Sequence, residues 1–431
     1  MLFQNFIGIL NFELIQWRFG PEIIYNYFKL VLFMQYQEIH VWDFPPTETY
    51  LRINDKYRTP LIRDFIDSFR SWKAAISFLN KQGRLYGLEK RYSVGALSHW
   101  RMGVEKTRKR TRNIPLWVAL EISKVLSNNI SKDNEVMQEI ERKLEYCNSR
   151  GRGTSVKMKF PLLLTPELVS VIFHLYGDGC VGDRGQTSHY RQKNEVGLAN
   201  FLSKLRNCFG NFSVSKITLK DSKVIIPKVI IEFYKYYFGL AKHYLGTTRI
   251  PEEIKALPKS FLVAGLTAFI VDEGHIGDTI EIYSSNKELL EDIKEIILSL
   301  GYCCYGPRKK SKNTPKDFRI YISVKDALKF NADINAITNE FQTCGLAHKS
   351  EKLSDIVRRK IRLWKTKDYG VTKNEIVNIL TKQNQTVTDL CREINIAPSS
   401  LREHLRALEN QGFIHRIGKH NNHADLWSKI M

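Results

Sequence analysis

Two acidic residues stand where two similar apolar segments end: Asp178 in Leu175-Tyr176-Gly177-Asp178-Gly179, and Glu273 in Ile270-Val271-Asp272-Glu273-Gly274. Each follows a helix-length apolar run, and the negative end of a helix dipole disfavours an ionised carboxylate by up to about 1 kcal/mol unless a cation compensates. A single Asp-Gly or Glu-Gly after a helix is an ordinary C-terminal turn. Here the feature recurs at equivalent places of a repeat. If the two helices pack about a pseudo-twofold axis, their ends meet, and carboxylates that close stay ionised only with metal. Oxygen ligands alone select Mg2+ or Mn2+ over zinc. Hard cations bridged by carboxylates activate water against a phosphodiester and stabilise the leaving oxygen.

The elements that must position these acids can be read on either side of them. In the first copy, Thr165-Pro166-Glu167 has the N-cap and first-turn residues of a helix that runs through Val169, Ile172 and Leu175 to Gly177. A strand pair, a helix from Glu195 to Phe209 ending at Gly210, and a second strand pair broken near Asp221-Ser222 follow. In the second copy a helix from about Lys259 reaches Glu273. It is followed by a strand at Thr279 to Tyr283, a helix from Lys287 to Leu300 ending at Gly301, and strands Tyr302 to Lys310 and Phe318 to Ser323 around a Lys312–Lys316 turn. The closing glycines and the following tyrosines, Tyr190 and Tyr283, keep similar offsets, so the region is an internal duplication of αββαββα units.

The chain has 431 residues, enough for several cores. Its 66 Lys and Arg against 45 Asp and Glu give a net charge of +21, which makes a polyanion the expected partner, nucleic acid ahead of an anionic membrane. Seven cysteines without a C-x-x-C pair exclude a disulfide framework and a zinc ribbon and fit a reducing compartment. Residues 1–36 are apolar, but Glu13, Arg18, Glu22 and Lys29 interrupt every run before a membrane span is reached. The stretch also lacks a basic start and cleavage site, and Met34 is read as an alternative start. The expected location is therefore prokaryotic, cytoplasmic and nucleoid-associated, with no membrane partner.

Six segments are expected: an N-terminal extension over 1–65, a helical domain over 66–147, a small and basic linker over 148–159, repeat one over 160–255, repeat two with a charged connecting helix over 256–366, and a separate unit over 370–431. Trp72, Ala75, Ile76 and Leu79 follow helical spacing in the second of these. In the last, Thr386-x-x-Asp389 forms a capping box before a helix over 387–394, Asn395–Pro398 make a turn, and a helix over 399–410 leads into two strands. That order is a winged helix-turn-helix, with His420–His423 as a polar wing tip and not a zinc site.

Val263 to Ile276 resembles the second motif of a LAGLIDADG (dodecapeptide) homing endonuclease, and Val171 to Val181 resembles the first. Arg249-Ile250-Pro251-Glu252-Glu253 and Gly345-Leu346-Ala347-His348-Lys349-x-x-Lys352-Leu353 are similar to segments near the motifs in that family, and the resemblance covers roughly 160 to 355. It implies an α+β fold: a pseudo-twofold duplicated αββαββα core forming a saddle of antiparallel sheet on duplex DNA, monomeric through its internal pseudo-symmetry. It also implies that Asp178 and Glu273 bind Mg2+ or Mn2+ and cut one strand each. Lysines near the scissile phosphates would be Lys216 or Lys220 in copy one and Lys309 or Lys310 in copy two. The sequence departs from the family once: six residues before the closing glycine a small residue is preferred, and copy two offers Ala268, whereas copy one has Phe173.

Flanking modules extend the expected DNA contact. Ser400, Arg402, Glu403 and Arg406 lie on the outer face of the second C-terminal helix, whose Leu401, Leu405 and Leu408 face a core; Arg416 and Lys419 belong to the wing. Residues 94–103 loosely resemble a Cro-type recognition helix carrying Arg101, followed by the basic cluster with Arg108, Lys109, Arg110 and Arg112. Arg308 and Lys312 form a second basic cluster suited to phosphate contact. Two functions fit: a site-specific, magnesium-dependent endonuclease acting on double-stranded DNA, and a DNA-binding transcriptional regulator that keeps the fold without cleaving. An intein is disfavoured, since the chain neither starts with Cys or Ser nor ends in His-Asn.

Overall fold

Polar caps start many of the helices. Asn54 Oδ1 accepts from Lys56 N, Ser71 Oγ from Ala74 N, Thr165 Oγ1 from Leu168 N and Asn286 Oδ1 from Leu289 N, each satisfying a donor that the first helical turn leaves open. The structure, a computed structural model, describes all residues except 1–35, 90, 102–112, 128–132, 150–152, 183–186, 216–219, 241–247, 278, 312–313, 362–370, 395, 397, 421–423 and 431. The described residues fall into two units: one holds residues up to 175 with 179–191 and 201–242, the other 176–178, 192–200 and 243 onward.

The first unit opens with β1 (Glu38–Ile39), β2 (Thr49–Ile53), α1 (Asp55–Asp67), α2 (Trp72–Leu85), α3 (Val94–Arg101), β3 (Ile114–Pro115), α4 (Leu116–Ser127), α5 (Asp133–Arg142), β4 (Leu144–Ser149), β5 (Val156–Lys157) and β6 (Leu162–Leu163). The first αββαββα run follows as α6 (Pro166–Tyr176), β7 (Gly179–Cys180), β8 (His189–Arg191), α7 (Glu195–Phe209), β9 (Asn211–Phe212), β10 (Lys223–Ile225) and α8 (Lys228–Tyr237). Phe65, Leu79, Trp100, Trp117 and Ile122 bury the apolar faces of α1 to α4.

Two features of this unit differ from the sequence expectation. Where a linker was expected over 148–159, the described residues supply strand at 148–149 and Val156–Lys157: β4 pairs with β2, and β5 pairs with β4 and β9, in a five-stranded sheet ordered β3-β2-β4-β5-β9. Cys147, Val156 and Met158 are buried in it, a pattern that the small and basic residues between them obscure. The same sheet draws on the expected N-terminal extension, through β2, and on the expected helical domain, through β3 and β4. The second difference is that β9 and β10 do not pair with each other. β10 joins β8 and β7 in a three-stranded sheet, while β9 closes the five-stranded one. Gly210 permits this: at φ 83° its Cβ position would lie 2.1 Å from the Lys157 carbonyl oxygen, so only glycine lets β9 approach β5.

The second unit holds α9 (Glu252–Lys255), α10 (Lys259–Glu273), β11 (Gly274–Ile276), β12 (Ile280–Ser284), α11 (Lys287–Ser299), β13 (Cys304–Ser311), β14 (Thr314–Ile322) and α12 (Ala327–Thr338). The second αββαββα run is complete: β11-β12-β14-β13 make one four-stranded antiparallel sheet. Helix α10 is apolar all round and buried from Phe261 to Val271, as expected of a helix at the centre of a core. Helix α13 (Ser350–Ile361) leads to α14 (Val371–Lys382), β15 (Gln385–Thr386), α15 (Val387–Ile394), α16 (Pro398–Asn410), β16 (Ile414–His420) and β17 (Ala424–Lys429), the strands ordered β15-β17-β16. Thr386 and Asp389 exchange hydrogen bonds reciprocally at the start of α15, as the capping box requires. The fold is thus mixed helix and antiparallel sheet with a duplicated core and a C-terminal helix-turn-helix. No helix among the described residues is long and apolar enough to cross a membrane.

Candidate active site

The two motif glycines have the same local cause. A Cβ on Gly179 would lie 2.5 Å from Leu175 Cα, and one on Gly274 2.5 Å from the Ile270 carbonyl oxygen. In each copy the chain turns sharply back over the last helical turn, so the residue after the acid must lack a side chain, and the acid is held at the helix end. Gly177 serves a different approach: its Cβ position falls 2.7 Å from Asp272 Cβ and 2.8 Å from Asp272 Oδ2. The ends of the two motifs therefore touch at a glycine in one copy and an aspartate in the other. Phe173, the departure from the small-residue pattern, is fully buried, and close contact is achieved nearer the acids than its position. Gly177→Ala is expected to cost about 1–3 kcal/mol by forcing Asp272 aside. A urea midpoint equal to that of the wild type would show that no such close contact exists.

Around this contact the second unit gathers three carboxylates, those of Asp178, Asp272 and Glu273, and one ammonium, that of Lys349. Burial first, and then Asp272, push the Asp178 carboxyl up to about 7, against the opposing charge of Lys349. Burial, Asp178 and Asp272 push Glu273 up to about 7 as well, again opposed by Lys349. Gln192 Nε2 donates to Asp178 Oδ2 at 3.0 Å, and the Gln192 carbonyl accepts from Asn194 N at 3.2 Å, which orients the amide. Lys349 Nζ donates to the carbonyls of Ile270 (2.9 Å) and Gly274 (2.6 Å), so it caps the negative end of α10. Burial lowers its pKa even though the three carboxylates raise it. The preceding Ala347 holds a left-handed φ of 46°, a strained turn that brings Lys349 to the helix end.

Neither Asp272 nor Lys349 is marked as a site residue by the sequence, whose resemblance points to lysines on later strands. Lys220 is exposed ahead of β10, and Lys309 is exposed on β13. Lys310 falls on β13, and Lys216 lies outside the described residues. Among the described residues, the lysine whose charge bears on Asp178 and Glu273 is Lys349. A signal existed in Gly345-Leu346-Ala347-His348-Lys349, a segment similar to the family but without an assigned function.

The solvent face of the four-stranded sheet is polar and aromatic. Registered across it are His275, Glu281, Tyr321 and Tyr305, and beside them Tyr283, Arg319 and Arg308. Tyr305 and Tyr321 stack at 4.9 Å, and Glu281 accepts from Tyr283 and lies 3.7 Å from Arg319. In the C-terminal module Leu401, Leu405 and Leu408 are buried, while Ser400, Arg402, Glu403 and Arg406 are exposed on α16. Arg416 pairs with Asp425 at 3.3 Å on the β16–β17 hairpin, and Lys419 falls on β16. Arg101 lies 5.0 Å from the Trp72 ring. Arg108, Lys109, Arg110, Arg112, Lys312 and most of the expected wing tip lie outside the described residues.

Residues 370–416 match the family described as bacterial regulatory protein, arsR family. No curated protein matches the chain. Among solved structures, the chain is similar to the homing endonuclease I-DmoI in complex with DNA and Mn, with 20% identity over 39% of this chain and 96% of that one and a TM-score of 0.29. It is also similar to I-DmoI in complex with DNA and Ca, with 17% identity over 39% of this chain and 87% of that one and a TM-score of 0.27.

Proposed function

We propose that the protein is a divalent-metal-dependent endonuclease acting on double-stranded DNA at specific sites. The observation that carries this reading is the meeting of Asp178 and Glu273, one from each copy of a duplicated motif, in a pocket that raises both carboxyls to about 7. Carboxyls raised first by burial and then by neighbouring carboxylates are ready to take a cation, because binding one relieves both burial and repulsion.

The donors fit a hard cation. They are all oxygens, and among the described residues no cluster of three or more His, Cys, Asp or Glu side chains is close enough to hold an ion unaided. Mg2+ or Mn2+ bound by one or two carboxylates normally completes its shell with water and substrate phosphate. Asp178 and Glu273 would hold it, and when bound it activates water and stabilises the leaving oxygen. Gln192 holds the Asp178 carboxylate in place, and Lys349 fixes the end of α10 and offsets part of the acidic charge. The basic and aromatic face of β11 to β14 suits a major groove, where arginine reads guanine and stacked tyrosines lie against the backbone and base edges. The C-terminal module, as a winged helix with α16 in the adjoining major groove, would lengthen the target.

A second reading has its own observation: the match of residues 370–416 to a family of bacterial regulatory proteins favours a DNA-binding regulator that does not cleave. Incubation with Mg2+ and plasmids carrying the gene's own chromosomal neighbourhood separates the two. Linearisation at one position is expected. Tight binding with no cutting would leave the regulator standing and the nuclease not.

A further inference from the structure

Helix α13 starts at Ser350, directly after the lysine that caps α10, so its first turn is fixed to the acidic site. Glu351 and Asp355, four residues apart on that helix, present their carboxylates on one face. Both are engaged by Arg392, which stands on α15, the first helix of the helix-turn-helix. Its Nη2 lies 2.6 Å from Asp355 Oδ2 and 3.4 Å from Glu351 Oε1, and its Nε donates to Asp355 Oδ2 at 3.2 Å. Asp355 is 15% exposed, so water competes poorly for it. Helices α15 and α16 share one apolar core through Leu390, Cys391, Ile394, Leu401 and Leu405, and any constraint on α15 passes to α16. The open cleft left between the core and the module, about 540 Å³, is lined from both sides by His275 and by the cations Lys352, Arg358 and Arg402.

A helix-turn-helix joined only by a tether tolerates many separations between its own site and that of its neighbour, because the linker sets only an effective concentration. One docked by oriented ion pairs tolerates few, since the ordering is already done before DNA arrives. We infer that Arg392 is a specificity-determining positioning residue: its clamp on Asp355 and Glu351 fixes the spacing between the base pairs read by α16 and the phosphodiesters presented to Asp178 and Glu273. This rests on the proposed reading of both modules as DNA-binding.

The test selects duplexes randomised throughout on the full chain with divalent ions withheld, so that it reads binding alone. The wild type is expected to enrich two sequence blocks at one separation. Lengthening that separation by roughly five base pairs, about half a helical turn, should weaken binding by at least about thirtyfold. Arg392→Gln and Asp355→Asn should each reduce that penalty to under about threefold without changing either block, and the double variant should go no further than either single one. A penalty that survives Arg392→Gln, or wild-type enrichment without a preferred separation, overturns the inference. If separation-dependent binding is found but Mg2+ brings no cutting, the nuclease reading fails while the inference on spacing stands.

Discussion

Asp178→Asn combined with Glu273→Gln is expected to reduce plasmid cleavage by at least about a thousandfold and, at the same time, to make the metal-free protein harder to unfold above pH 7. The first effect removes the two carboxylates proposed to hold the cation between the two motifs and leaves Asp272 alone. The second follows from linkage. Both carboxyls are pushed up to about 7 in the folded protein, from ordinary values near 4. A group whose folded pKa is raised stabilises the fold fully below its unfolded pKa and loses that contribution as pH rises through the folded pKa. The metal-free wild type should therefore lose stability between about pH 4 and 7. Both groups retain some solvent access, so the loss is about 2 kcal/mol for the pair after screening. The neutral variant should escape it, and Mg2+ should stabilise the wild type alone, closing the gap. Thermal unfolding in chelator across pH, repeated with Mg2+, reads all three. A variant no more stable than the wild type at pH 8 would show that burial and neighbouring charge do not raise these carboxyls in the folded protein. Cutting that persists in the variant would show that other residues hold the metal.

Lys349→Met should be the most damaging single change outside the two acids. It removes two charge-assisted hydrogen bonds to the end of α10 and the ammonium charge that opposes the raised Asp178 and Glu273 carboxyls. The Gly274 carbonyl loses a donor, while the Ile270 carbonyl keeps the Gly274 N–H. Together these effects should cost about 2–3 kcal/mol of stability at pH 7. With the ammonium gone, both carboxyls rise further, so their protons compete with metal over a wider range. Mg2+ affinity at pH 7 should fall about tenfold, with most of the loss recovered near pH 8.5. Calorimetric titration at the two pH values decides it. An equal loss at both would mean that Lys349 acts by holding the backbone and not through charge.

The duplicated core was legible because its evidence is local and periodic. Thr165-Pro166 starts a helix, Gly210 and Gly301 end helices, and alternating apolar residues mark the strands on either side; the structure shows these elements near the expected limits. What failed to read was also local in cause. Residues 148–159 resemble a linker because a short strand with one buried valine leaves little period to detect. The strands on either side of Asp221-Ser222 do not form the expected pair, because a two-residue strand such as β9 carries no record of its neighbour. In the site, Asp178 and Glu273 stood out through repetition, whereas Lys349 did not: a lysine that caps another element's helix looks in sequence like any surface lysine.

By itself, then, the chain's sequence determined the two αββαββα runs, the acids at their helix ends and the helix-turn-helix after them, since each is encoded by caps, glycines and apolar spacing within a few turns. Only the tertiary structure decided that Gly177 and Asp272 touch, that Asp272 and Lys349 share the acidic pocket, and that Arg392 reaches Asp355. These are contacts between residues far apart in the chain, where backbone approach and burial, and not residue type, set which charges meet.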